Sequence, residues 1–136
     1  MRPSRKAQKI IAGVGVIAAT YFWTTEFDSP DEPGSGEMIN PTFVAKLDSI
    51  RDDVGFPIRI NSGVRTEYHN ESVGGVSNSA HTAPCYCAAD IRVRSRAERD
   101  SIIASAKRHG ITRIGIARSF VHLDIDTTKP DAVWYY

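Results

Sequence analysis

The segment Phe120-Val121-His122-Leu123-Asp124-Ile125-Asp126 alternates strictly between apolar side chains and positions that include a histidine and two carboxylates. That is the period of a β-strand, so residues 120, 122, 124 and 126 share one face and Val121, Leu123 and Ile125 the other. A strand so divided needs an apolar layer against one face and tolerates a polar cavity against the other. Any fold for this chain must therefore place a sheet between a core and a site.

The rest of the sequence supplies the layer. Asn40-Pro41 opens a helix, with Asn as the cap and Pro at the first helical position. Phe43, Val44, Leu47, Ile50 and Val54 recur on one helical face, and Gly55 ends it. Pro57 to Asn61 alternates and reads as a strand. Residues 62–80, rich in Ser, Gly and Asn, read as a long loop of the kind that carries function. Ala89 to Val93 reads as a strand. Ser95 starts a second helix with Glu98 in a capping box; Ile102, Ile103 and Ala106 form its apolar face and Gly110 its stop. Arg113 to Ala117 and Phe120 to Asp126 are strands joined by a short turn. Helices together with hairpin-spaced strands predict an α+β domain, a small antiparallel sheet with flanking helices.

A length of 136 residues suits one domain, and a formal net charge of +1 gives no reason to expect nucleic acid. The charge is uneven. Arg2, Arg5, Lys6 and Lys9 precede an uncharged run from Ile10 to Trp23, and the remainder is net acidic. A basic start followed by an apolar run is an export pattern. The run is short for a membrane span of about 20 residues and contains Gly13 and Gly15. Residues 1–20 are thus expected to be a signal peptide with a cleavage site near Val16-Ile17-Ala18, or a short anchor. The alternative is an N-terminal helix or strand packed on a domain spanning residues 21–136. Membrane contact, if any, would run through residues 10–23.

His81, Asp90 and His122 are the chemistry-bearing set. Two imidazoles and a carboxylate suit a zinc ion and leave one of its four positions open for water, as hydrolytic zinc sites require. Cys85 and Cys87 lie between two of these residues. Their spacing argues against a disulfide, so a pair of thiols is expected, with thiolate ligation of the metal as the alternative.

Several stretches together resemble the zinc D-alanyl-D-alanine carboxypeptidases and related peptidoglycan peptidases, which share a fold with hedgehog signalling domains. They are Ser62-Gly63-Val64-Arg65-Thr66, His69-Asn70, Val73-Gly74-Gly75, Ser77-Asn78-Ser79-Ala80-His81, Ala88-Ala89-Asp90-Ile91, Arg113-Ile114-Gly115-Ile116 and Phe120-Val121-His122-Leu123-Asp124, with Trp134 near the end and Glu26 to Pro30 near the start. The resemblance runs from about residue 21 onward. It implies that His81, Asp90 and His122 bind zinc and that Arg65 faces the substrate or the developing oxyanion. Ser79 and His69 are candidate substrate contacts, with a loop-bracing hydrogen bond as the second reading of His69. The substrate it implies is a peptidoglycan stem peptide, cut by a carboxypeptidase or endopeptidase at the cell wall, in an exported, membrane-anchored or phage-encoded lysin setting.

The chain departs from the family pattern in two places. The interval from His81 to Asp90 is longer, and Cys85 and Cys87 occupy the added stretch. Where many relatives carry an acid three residues before the third ligand, this chain has Ser119. Asp124 is expected to replace that acid as the catalytic base, or else to brace a ligand from behind. Two rival readings remain: a zinc-stabilised, non-catalytic binding or structural module of the same fold, and a membrane-tethered domain without metal.

Overall fold

Helix α1 (Pro41–Val54) begins where the Asn40 side chain accepts a hydrogen bond from Phe43 N and ends at Gly55, whose φ of 74° is the left-handed stop. Phe43, Leu47 and Ile50 are wholly buried. Complete burial is worth roughly 1.5–3 kcal/mol for each such side chain, against about 1 kcal/mol for the cap, so packing holds this helix more than its ends do. The computed structural model describes residues 7–11 and 16–136, with side chains from Thr20 onward.

Strands β1 (Ala7–Ile11) and β2 (Val16–Thr20) pair antiparallel. β2 meets α1 at its end, where the Thr20 hydroxyl and the Tyr21 N–H both donate to Asp48 Oδ1. The export expectation concerns residues 1–20, of which 1–6 and 12–15 lie outside the described residues. Among the described residues, no helix is long and apolar enough to cross a membrane. Two 3-10 turns, Thr24–Phe27 and Ser35–Met38, shape the segment between β2 and α1.

The main sheet is built from β3 (Ile60–Ser62), β4 (Ala88–Arg92), β5 (Arg113–Ile116), β6 (Phe120–Asp124) and β7 (Ala132–Tyr135), in the order β3-β4-β6-β5-β7. The first four strands pair antiparallel, as expected; β7 joins β5 in parallel, which makes the sheet mixed. β3 starts at Ile60, later than its alternation suggests. Within the expected loop 62–80 lies a short helix, α2 (Glu67–Ser72), capped by Thr66 through a bond from His69 N.

Helix α3 (Arg96–Arg108) starts where Ser95 accepts from Glu98 N. Glu98 reaches back to Arg94 N rather than to Ser95 N, so the expected capping box closes one residue early. Ile102 and Ala106 are buried. α1 and α3 pack against each other, and α3 also meets β6. Val121 and Leu123 of β6 and Ile114 of β5 are buried in the core beside them.

The opposite face of the sheet consists of cross-strand rows. Asp124 of β6, Arg113 of β5 and Ala132 of β7 form one; His122, Gly115 and Trp134 form the next, with Asp90 of β4 beside His122. At the far end the Phe120 and Tyr136 rings lie 5.0 Å apart.

Asp53, on the last turn of α1, accepts from Ser105 Oγ (2.7 Å), His109 Nε2 (2.8 Å) and Arg108 (3.2 Å) of α3 and its end. The Ser105 and His109 bonds lead in holding its carboxyl down to about 2 from an ordinary 3.8. A depressed carboxyl pKa stabilises the fold above the unfolded value, and that contribution is lost as pH falls through the folded one. Asp53→Asn should therefore lower stability at neutral pH and flatten the fall in stability between pH about 4 and 2, as read by urea denaturation at stepped pH.

Candidate metal centre

Three elements bring the predicted set together. His81 sits in the segment between α2 and β4, Asp90 on β4 and His122 on β6, directly opposite Asp90. His81 Nε2 lies 3.3 Å from His122 Nδ1 and 3.4 Å from Asp90 Oδ1, and His122 Nδ1 lies 2.9 Å from Asp90 Oδ1. Ligand atoms bound tetrahedrally to zinc at about 2.0–2.1 Å stand about 3.3 Å from one another. The donor set and its spacing fit that ion.

The outward nitrogens decide which atoms face inward. His81 Nδ1 donates to Gly63 O at 2.7 Å; a carbonyl only accepts, so the proton is on Nδ1 and the Nε2 lone pair faces the other two residues. His122 Nε2 donates to Asp124 Oδ2 at 2.7 Å, which leaves Nδ1 as its inward atom. Metal-binding histidines are fixed in this way, through an acceptor on the far nitrogen.

The carboxylates are held just as firmly. Asp90 Oδ2 accepts from Arg65 at 3.1 Å, which keeps Oδ1 for the imidazoles. Arg65 itself is anchored by Ser62 Oγ (3.0 Å) and Asn70 Oδ1 (3.2 Å), and Asn70 is buried. Asp124 Oδ1 accepts from Arg113 Nε (2.8 Å) and Asp126 N (3.0 Å). Both oxygens of Asp124 are thus engaged, one by His122 and the other by Arg113 and the Asp126 N–H. Ser119 is exposed on the β5–β6 turn.

Burial shapes the charge states. It lowers the pKa of His81, outweighing the pull of Asp90. For His122 burial acts downward too, but hydrogen bonds to Asp124 and Asp90 prevail and raise its pKa, so protons compete with a cation for Nδ1. Burial would raise Asp90, but the bonds from His122 and His81 hold it well below the usual carboxylate range.

The triad forms the floor of a cavity of about 510 Å³. Arg65, Ser79, the Gly74–Val76 segment, Phe120, Trp134 and Tyr136 line it as well. The Trp134 ring packs 5.3 Å from His122 and beneath the Arg113 guanidinium, also at 5.3 Å. Gly115 makes that possible, since a Cβ there would stand 2.7 Å from the indole. Ser79 accepts from His81 N at 3.1 Å. His69, on α2, is not among the residues lining the cavity.

The cysteine expectation is corrected. Cys85 and Cys87 form a disulfide with Cα atoms 5.0 Å apart, inside the range such bonds need. Tyr86, at a φ of 43°, turns the chain between them. Neither sulfur lines the cavity, so the thiolate-ligand alternative falls away.

The sequence profile of the family described as Peptidase M15 matches residues 14–124. The chain belongs to the peptidase M15 family. The matched stretch contains His81, Asp90 and His122, and membership makes the protein a metallopeptidase. None of the curated proteins matches this M15 chain.

Asp124→Asn keeps the shape but must turn an NH₂ toward either His122 Nε2–H or the Arg113 and Asp126 donors, leaving one of them without an acceptor. Loss of such a partner typically weakens metal binding about 10–100-fold. Competition against a chromogenic zinc chelator should show a decrease of that order.

Proposed function

We propose that this chain is a zinc-dependent peptidase that hydrolyses peptide bonds in peptidoglycan stem peptides. The observation that carries the reading is the orientation of the two imidazoles. Each has its outer N–H tied to an acceptor, and their inner nitrogens meet Asp90 Oδ1 at zinc-ligand spacing on the cavity floor.

In this reading His81, Asp90 and His122 hold the ion. The chemistry supplied by zinc when bound is Lewis-acid polarisation of a carbonyl and acidification of water. Gly63 O and Asp124 keep the two imidazoles in the required tautomers, and Asp124 works through His122 as a positioning residue. Arg65 fixes Asp90 and keeps further N–H donors for a substrate carboxylate or for the oxygen that gains charge. Ser79, whose oxygen is used by His81 N–H, retains its own O–H for a substrate. Trp134, Phe120 and Tyr136 offer an apolar wall to small side chains such as the methyl of alanine.

The stem-peptide substrate rests on the resemblance set out from the sequence. Action at the cell wall, by an exported, membrane-anchored or phage-encoded enzyme, is supported by the basic-then-apolar start. The Cys85–Cys87 disulfide agrees with it, since such bonds persist in oxidising compartments.

One observation favours a second reading, a zinc-stabilised binding module. Of the two carboxylates that line the cavity, Asp90 is a ligand in this set and Asp124 has both oxygens engaged, and Ser119 stands where many relatives carry an acid. Zinc content and muropeptide cleavage, measured together for wild type and His122→Ala, separate the two. The peptidase reading expects about one zinc per chain, as a single three-ligand site implies, and products by mass spectrometry that vanish in the mutant. Zinc binding without cleavage would transfer the assignment to the binding module.

A further inference from the structure

The cleft differs at its two ends. One runs out past the Phe120 and Tyr136 rings, and Tyr136 is exposed. The other meets Lys129, which crosses from the loop after β6 and donates to Asn78 O at 2.5 Å. Asn78 belongs to the segment that carries Ser79 and His81. Lys129 is itself held by Asp126 Oδ2 at 3.1 Å, and Asp126 in turn accepts from Thr128 N and Oγ1. The clasp therefore ties the loop after β6 to the segment that carries Ser79 and His81.

Beyond Lys129 lies a second cavity of about 410 Å³, bounded by Lys46, Thr112, Asp126 and Asp131. Arg113 and Lys129 line both cavities and form the partition between them. Arg113 is pinned from two sides, through Nε to Asp124 and through Nη1 to Pro130 O at 2.6 Å. Lys129 is the half of the partition that rests on a clasp at the surface.

We propose that Lys129 closes one end of the cleft and thereby restricts this peptidase to the free carboxyl end of its peptide. This deepens the peptidase reading and rests on it. The amino end of a stem peptide is carried by the glycan, so the end that fits a blind cleft is the carboxyl end. A cross-linked or extended peptide needs a groove that continues past the scissile bond. The second cavity provides that space once the partition opens. Lys129 is thus the residue that decides between removing a terminal residue and cutting an internal bond.

The test uses the zinc-loaded full chain and two peptides built on a stem-type pentapeptide whose last two residues are D-Ala-D-Ala, each labelled at the amino end. One has a free carboxyl terminus; the other is extended through that carboxyl by a glycine pair. Binding is read by fluorescence anisotropy and cleavage by mass spectrometry, for wild type, Lys129→Ala and Lys129→Met. Wild type should favour the free-ended peptide by about tenfold or more, a discrimination that exclusion of added groups can supply. Both variants should bring the ratio toward unity; Met keeps the aliphatic stem and loses only the clasp. Equal binding of the two peptides by wild type overturns the proposal, as does a wild-type ratio retained in a folded variant. A free-end preference in binding without cleavage of either peptide sinks the peptidase reading but leaves the closed end standing. Failure of wild type to bind either peptide removes both.

Discussion

The register of β4 on β6 is the constraint from which the site follows. It sets Asp90 directly opposite His122, so that a carboxylate oxygen and an imidazole nitrogen meet across the ladder. A slip of β6 by one residue would turn His122 into the core and bring Val121 and Leu123 out of it. The apolar face of β6 thus enforces the polar one. His81 then needs only to descend from the loop, where its bond to Gly63 O and its N–H bond to Ser79 hold it.

Burying two aspartates and two histidines this closely is unfavourable unless each has a partner. The chain meets that requirement with two arginines from opposite sides. Arg65 takes the free oxygen of Asp90, and Arg113 takes the free oxygen of Asp124. The result is a continuous series, Arg65–Asp90–His122–Asp124–Arg113, in which one oxygen of Asp90 is left for a cation. Rigidity here comes from charge pairing, and shape from packing: Gly115 gives Trp134 its place over His122, and Trp134 supports Arg113.

Much of this was legible in the sequence, and what was not has physical causes. The alternation in β6 and the caps at Asn40 and Ser95 are local patterns, legible directly; His81, Asp90 and His122 are far apart in the chain, and what singles them out is the resemblance of the stretches around them. β7 escaped because four residues at a sheet edge carry little signal, although Val133, Trp134 and Tyr135 have strong strand propensity. α2 escaped because six residues are too few for a helical period to stand out. The disulfide was misjudged from spacing alone, when the turn at Tyr86 decides whether two such sulfurs meet. The role of Asp124 depended on which nitrogen of His122 it faces, and the parts of Arg113 and Lys129 depended on pairing register and on a contact across 51 residues. No one-dimensional pattern holds such information.

The central claim is that His81, Asp90 and His122 form one zinc site with two imidazoles, one carboxylate and no sulfur. X-ray absorption at the zinc edge of the loaded protein tests it most directly. The account predicts a shell of nitrogen and oxygen at about 2.0–2.1 Å with the outer-shell scattering of two imidazoles. A sulfur shell at about 2.3 Å would contradict it, because the metal would then be held by Cys85 or Cys87 and not on the floor of the cleft.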